Sequence, residues 1–477
     1  MLVIKLKDNN YQGQNLKIYR NSEEAKLFQN FEKEEKEIIR KALDFISNVP
    51  LSELEERGAI IFPSKTVRKD VGTADNILSV QNLTSENPTI KTKNIMGFFS
   101  VKGVQFEISS RFDSGEKQFF LHYMLSKVCN VAPTIELTHA NKDPLYDFAV
   151  YLFPAFLKKA VSQGLFRMYI TREYNDSNLR GVIDFPRHFR NNIPFNGKIA
   201  YRTREYSSDN FVTQLVRHTI EFIAENSNLR RILSLDDETR GAVQEICGNT
   251  GSYNRLSRNF IINKNLRPLS HPYYTEYEQL RKLCIMILTH DKISYGESQQ
   301  NQINGILFDG ASLWEEYLNA IMQERIGDKF ELEHPNNRTG KGKKWLFENN
   351  IQEIYPDFIL KEKDSKKISA IMDAKYKHLE GGAVQREDYF QLLAYMFRFN
   401  SSRGMLIYPY SQSDKNQNET LELAGERENK VIFSVFGLEI PKYDDKTERK
   451  DFAEQMEEIE SKLLDRISDL CYNPAVF

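Results

Sequence analysis

Apolar residues recur at helical spacing through residues 22–47, at Leu27, Phe31, Ile38, Ile39, Leu43 and Ile46, which predicts an amphipathic helix capped by Ser22. The polar stretch 71–94 reads as loop or short edge strands, and GFFSVKGVQFEIS (97–109) as a hairpin turning at Gly103. From 140 to 300 the period is mainly helical. Residues 143–164 predict a long apolar helix interrupted by Pro154, LFRMYIT a short strand, and residues 207–226 a helix capped by Ser208 or Asp209. In the last third the periods alternate. A helix over 310–327 is followed by the strand candidates FELEH, WLFEN, YPDFILKE and KISAIMDAKYK, the helix QREDYFQLLAYMFRFN and the strand RGMLIYP. A closing helix over 451–470 carries a stripe of Phe452, Met456, Ile459, Leu463 and Ile467, read as core packing.

This pattern predicts an α+β multidomain chain whose C-terminal part is an α/β core with a mixed sheet. Four segments are expected: a mixed N-terminal unit (1–95), a strand-then-helical region (96–300), a core domain (301–440) and a C-terminal helix packed on it (441–477). A length of 477 residues suits about three domains. No apolar run approaches the roughly 20 residues of a membrane span, so no membrane association is expected. The start, MLVIKLKDNN, turns polar at once without the features of a secretion signal, and a cytoplasmic protein is expected. The cysteines Cys129, Cys247, Cys284 and Cys471 form no CxxC pair, which argues against a zinc site or a disulfide framework. With 65 basic residues in a net charge of −2, any nucleic-acid surface must be a local patch. One such patch is FPRHFRNNIPFNGKIAYRTR (185–204), where Arg187, Arg190, Lys198, Arg202 and Arg204 interleave with Phe185, Phe189, Phe195 and Tyr201. Phosphate contact with base stacking is one reading. The other is a solvated loop whose arginines pair with acids elsewhere in this protein or in a partner.

Candidate chemistry concentrates at Pro356-Asp357 and, sixteen positions on, Asp373-Ala374-Lys375. A (D/E)xK triplet alone carries little weight, since Glu34-Glu35-Lys36 and Asp364-Ser365-Lys366 also match it. Asp373, however, ends the apolar strand ISAIM, and Lys375 two residues on faces the same side of the sheet. Asp357 opens the preceding strand. A hairpin between the two strands would bring both carboxylates and the ammonium together, a seat for a hard cation such as Mg²⁺. Such a cation polarises a scissile phosphate, and the lysine orients or activates the attacking water. Gln391 and Tyr395 share one face of the following helix, and Glu315 offers a third carboxylate with Glu316 as an equal contender. The alternative reading is a strand-end turn with a surface ion pair between Asp373 and Lys375.

The ordered set Glu315, Asp357, Asp373, Lys375 and Gln391/Tyr395 resembles the PD-(D/E)xK nuclease fold. A closer resemblance lies in LRGVIDFPRHFRNN, KIAYRTREYSSDNFVTQLVRHTI, LWEEYL, PDFIL, DAKYK, YFQLLAYM and GMLIYP, in that order, with Arg180-Gly181, Ile183-Asp184, Arg204-Glu205-Tyr206 and Asp209-Asn210 as its most specific parts. These resemble the McrC family, the nuclease subunit of McrBC-type modification-dependent restriction systems. The resemblance implies a DNA endonuclease using Mg²⁺ (or Mn²⁺), with Asp357 and Asp373 as metal ligands. It further implies double-stranded, methylated DNA as substrate and an McrB-like AAA+ GTPase ring as partner, whose hydrolysis the chain stimulates. Arg180, Arg187, Arg190, Arg202 and Arg204 then become contacts to that partner or to DNA. Lys341, Lys343 and Lys344, in the basic turn RTGKGKK (338–344), are read as DNA contacts.

There is no GxxxxGK[ST] loop, so the chain itself is expected to bind no nucleotide. Neither HExxH nor GxSxG occurs. Two rival readings remain: a stand-alone repair or recombination nuclease, and an NTPase-activating adaptor whose cleavage site has decayed.

Overall fold

The expected hairpin forms in the computed structural model. Ile95–Val101 and Val104–Ser109 run antiparallel with Val101 opposite Val104, and Gly103 takes φ +80°, which suits glycine in a tight turn. The structure describes the chain except for residues 1, 11–13, 16, 21–25, 63–75, 86–87, 116, 130–143, 227–228, 295–302, 327–328, 336–343, 379–383, 412–417, 425–429, 445 and 473–477.

Two units emerge, one from Met1–Glu136 with Ser298–Phe477 and the other from Leu137–Glu297. In the first, the hairpin lies within a seven-stranded mixed sheet in the order Lys26–Leu27, Lys17–Arg20, Leu2–Lys7, Val104–Ser109, Ile95–Val101, Asn304–Asp309, Ile60–Phe62. The strands Ile95–Val101 and Asn304–Asp309 approach closely enough that a Cβ on Gly97 would meet the Ile306 carbonyl oxygen, and one on Gly305 would meet Phe99. The Lys33–Ile46 helix buries Ile39, Ala42, Leu43 and Ile46 in the core of this sheet, beside Phe99 and Phe106.

That helix is shorter than its apolar repeat suggests. Leu27 belongs to a short strand paired with Lys17, and the chain is extended at Glu32 before the helix begins; Ser22 lies outside the described residues. The expected boundaries at 95 and 301 also shift. Residues 95–109 and 304–309 complete the N-terminal sheet, because strand pairing joins segments about two hundred residues apart that no local composition marks.

Asp309 ends its strand and caps the next helix, Gly310–Arg325, by accepting from the Ser312 amide at 2.8 Å. Beyond it stands a six-stranded mixed sheet in the order Phe330–Glu333, Phe358–Glu362, Ile368–Ala374, Arg403–Ser411, Ile432–Ile440, Glu419–Glu422. Ile368–Ala374, Arg403–Ser411 and Ile432–Ile440 pair in parallel and the outer strands antiparallel. The Arg386–Arg398 helix packs Leu392, Tyr395 and Met396 on this sheet with Ile371, Leu406 and Val435, while Arg449–Tyr472 closes the unit and buries Phe452, Met456, Leu463 and Ile467 as its stripe implies.

The second unit sets helices beside a long two-stranded ribbon. Met168–Asp176 pairs antiparallel with Ile199–Ser207 over nine residues, and Val182–Ile183 adds to its edge. The Pro144–Ser162 helix runs through Pro154 without ending there. Asn210, not Ser208 or Asp209, caps the Phe211–Glu225 helix, accepting from the Val212 and Thr213 amides. Asp209 instead accepts from the amide and hydroxyl of Ser252 at 2.9 Å. Among the described residues, no helix is long and apolar enough to cross a membrane.

Candidate active site

Phe358 stands opposite Met372 in the antiparallel pairing, so Asp357 falls opposite Asp373 at the strand end. The Ala374 amide donates to Asp357 Oδ2 at 2.8 Å and fixes that carboxylate across the gap. Both are buried, Asp357 at 8% and Asp373 at 1% exposure. Lys375 extends the strand, its amide donating to the Ile407 carbonyl at 2.9 Å. Its ammonium pairs with Asp373 and donates to Gln391 Oε1 at 2.8 Å; Gln391 Nε2 donates to Tyr395 Oη at 2.8 Å. The order read from the sequence thus becomes a chain of contacts from strand end to helix face.

The electrostatics follow from crowding. Burial, then the charges of Asp373 and Glu315, push the Asp357 carboxyl well above its usual range, against the opposing pull of Lys375 and the Ala374 amide. Burial disfavours the charge on Lys375, but Asp373 and Asp357 outweigh it and raise the pKa, so the side chain is an ammonium. Burial and the Asp373 charge raise Tyr395 as well. Of the two neighbouring glutamates, the charge of Glu315 helps to raise the Asp357 carboxyl, and Glu316 lies 3.9 Å from His334 Nε2.

His334 was not singled out in the sequence. Its Nδ1 lies 2.7 Å from the Asp357 carbonyl oxygen and its ring stacks on Phe358 at 4.9 Å. Burial opposes its charge, but the hydrogen bonds to Glu316 and to the Asp357 carbonyl raise its pKa. Its only sequence signal is its position directly after the strand FELE.

Asp357 and Asp373 suit a hard cation. They are two buried, facing carboxylates, with the Lys375 ammonium paired to Asp373 Oδ2 and the Ala374 amide to Asp357 Oδ2. Among the described residues no group of three or more His, Cys, Asp or Glu side chains forms a ligand cluster. Two carboxylates match Mg²⁺, which keeps much of its water and takes further oxygens from substrate phosphates.

The basic residues divide. Lys341 and Lys343 lie outside the described residues; Lys344 opens the hairpin Lys344–Phe347/Ile351–Ile354 with its ammonium 3.6 Å from Glu333. In the second unit Arg187 pairs with Glu173 at 2.6 Å, Arg202 with Asp184 at 2.6 Å, and Arg180 lies 3.7 Å from Asp176. Arg204 lies over the Tyr169 ring at 4.6 Å, and Arg190 is exposed in the last turn of the Phe185–Asn191 helix. Acids of the same unit therefore neutralise three of these arginines. Asp184 also caps the Phe185–Asn191 helix, and a Cβ on Gly181 would collide with the Arg202 carbonyl, so these parts of the resemblance serve the unit's own architecture.

No curated protein matches the chain. Among solved structures it is similar to a half-complex from a tetradecameric assembly of Thermococcus gammatolerans McrB AAA+ hexamers with bound McrC, at 15% identity and TM-score 0.47, over 96% of this chain and 100% of that one. It is similar also to the Thermococcus gammatolerans McrBC complex, at 15% identity and TM-score 0.31, over 68% of this chain and 88% of that one. The family model described as McrBC 5-methylcytosine restriction system component matches residues 90–409. That match spans about two thirds of the 477 residues, and the chain belongs to the family of McrBC 5-methylcytosine restriction system components.

Proposed function

We propose that the chain is the DNA-cleaving component of its restriction system, a PD-(D/E)xK-type endodeoxyribonuclease that uses Mg²⁺ or Mn²⁺ and acts with an AAA+ GTPase ring. The observation that carries this reading is the convergence of Asp357, Asp373, Lys375 and Gln391 at one strand end. Asp357 and Asp373 would hold the cation. Once bound, it would polarise the scissile phosphate and make a coordinated water a better nucleophile. Lys375, aimed by Asp373 and Gln391, supplies a fixed positive charge for the attacking water and for the charge growing on the phosphate. Tyr395 fixes the amide of Gln391, and His334 fixes the backbone of Asp357.

A partner is supported by family membership, by the lack of a phosphate-binding loop, and by the surface of the second unit. Phe185, Phe189, Ile193 and Phe195 are each more than half exposed there, at 57%, 57%, 64% and 69%. Exposed aromatics beside neutralised arginines favour a protein contact over a DNA path.

The test is cleavage of duplex DNA, with and without 5-methylcytosine, by the chain alone and by the chain with its ring NTPase and nucleotide. Mg²⁺-dependent cutting of the methylated duplex only in the complete mixture is expected. Vigorous degradation by the chain alone would favour the stand-alone nuclease, and stimulated NTP hydrolysis with no cleavage the adaptor.

A further inference from the structure

The Arg386–Arg398 helix meets the end of the Ile368–Ala374 strand through a polar ladder of which the Lys375–Gln391 pair is one rung. Gln385, Asp388, Gln391 and Tyr395, spaced three, three and four apart, share one face of this helix and its cap. Two residues beyond Lys375, Lys377 donates to Gln385 Oε1 at 2.8 Å and pairs with Asp388 Oδ2 at 2.7 Å. Asp388 is 5% exposed, and its Oδ2 also accepts from Tyr408 Oη at 2.9 Å. Tyr408 belongs to the neighbouring strand, Arg403–Ser411, one residue beyond Ile407, whose carbonyl holds the Lys375 amide.

One buried carboxylate therefore ties together the peptide leaving the lysine strand, the strand beside it and the first turn of the helix. The cap residue Gln385 makes no side-chain capping bond to its own helix and uses its amide oxygen on Lys377 instead. The start of the helix is thus anchored by contacts across to the site, three residues before Gln391. A helix start free to shift would carry Gln391 Oε1 away from the Lys375 ammonium, and displacements of about 1 Å at a reacting centre are costly.

We infer that Asp388 is a positioning residue of this site, which with Lys377 holds the first turn of the helix so that Gln391 orients Lys375. The inference rests on the nuclease reading above. A buried ion pair with a purely structural duty would lower stability when broken and leave the chemistry of the surviving folded molecules alone.

The test uses the full chain with its ring NTPase, cleaving a 5-methylcytosine-containing duplex, with Asp373→Ala as control. Asp388→Asn keeps the shape and removes the charge; Lys377→Met breaks the tether at a partly exposed position, which spares folding should the buried variant not fold. Each should lower kcat by about 10–100-fold with KM nearly unchanged, at temperatures well below melting. Lys377→Arg should recover most of the rate. In a double-mutant cycle, Asp388→Asn should add little to Gln391→Ala, because both remove the same orientation of Lys375. Multiplying losses in that cycle, an unchanged kcat, or a loss carried by KM would overturn the inference, the last because it would make Lys377 a direct DNA contact. If Asp373→Ala still cuts, the nuclease reading falls and takes this inference with it; if that control is dead while Asp388→Asn and Lys377→Met are fully active, only the positioning role is lost.

Discussion

At the end of the Ile368–Ala374 strand two carboxylates are buried face to face, and one responds by holding its proton more tightly. In residues 185–204, five cations lie on a surface where Arg187 and Arg202 already have acidic partners and Phe185, Phe189 and Phe195 stand in water, while Tyr201 is buried. The first region crowds like charge that Lys375 and the Ala374 amide only partly offset, and covers its apolar residues. The second relieves its charge and exposes them. Unrelieved like charge in a core is costly, so it is kept where a ligand will relieve it; exposed apolar surface is kept where a partner will cover it. On the proposed reading, a cation would relieve the first region and a partner surface would cover the second.

The largest effect expected from breaking this contrast is at the carboxylates. Asp373→Ala or Lys375→Ala should lower DNA cleavage on the order of 10²–10³-fold or more while leaving association with the partner near that of the parent, since neither touches the exposed aromatics of the second unit. A gel assay of cleavage with calorimetry of partner binding by the same preparations checks both halves. A variant that cuts at the parental rate would remove that residue from the site.

Next comes the aromatic surface. Phe189→Ser/Phe195→Ser should cut stimulation of partner NTP hydrolysis on the order of tenfold, the effect of losing about 1.4 kcal/mol of contact, with metal affinity at Asp357 and Asp373 unchanged. Arg202→Glu is the sharpening control. It sets a carboxylate against Asp184, whose own carboxyl is held below its usual range by the Arg187 amide and by Arg202 once burial is overcome, and it should lower the melting temperature. Equal loss of stimulation from both variants at matched stability would return the arginines to the interface.

How much of this was legible in the sequence depends on the range of the contact. Asp357, Asp373, Lys375 and Gln391 were visible because strand alternation and helical spacing fix their faces, and a single hairpin register then joins them. His334 and Asp388 were hidden: His334 has no spacing of its own, and Asp388, though three residues before Gln391 on the same helix face, is set apart only by its contacts with Lys377 and Tyr408. The boundary expected at 95 was missed for the same reason, as the N-terminal sheet recruits Ile95–Ser109 and, from far along the chain, Asn304–Asp309, whereas the break expected near 300 lies beside the division at Glu297. The neutralised arginines were half legible: Glu173 stands directly opposite Arg202 in the ribbon, but only once Met168–Asp176 is known to run for nine residues.

Asp357→Asn gives a smaller effect, readable without DNA. Because the folded carboxyl is raised above its unfolded value, its contribution to stability is fully present below the unfolded pKa, near pH 4, and is lost as pH rises through the folded pKa. In chelator at pH 8 the metal-free variant should therefore melt higher than the parent, by about 2–4 °C, with the gap closing towards pH 4–5. Added Mg²⁺ should raise the melting temperature of the parent and not that of the variant. Melting curves with the opposite sign would mean that Asp357 is not strained by Asp373.

The smallest effect belongs to Lys344. Its side chain is 38% exposed and its ammonium lies 3.6 Å from Glu333, which Lys361 also holds, so part of its charge is already spent within the protein. A phosphate contact from such a lysine adds less than a free one, because approach to DNA must compete with the Glu333 carboxylate. Lys344→Ala should weaken duplex binding by the cleavage-dead Asp373→Ala chain only a few-fold, uniformly across sequences, and flatten the salt dependence by less than about one unit. Removing the competitor reverses the sign: Glu333→Gln frees the ammonium and should tighten binding while steepening the salt dependence. Binding measured by anisotropy between about 50 and 200 mM salt distinguishes these outcomes. If Glu333→Gln leaves both the affinity and the slope where they were, Lys344 does not touch DNA, and its pairing with Glu333 is its whole role.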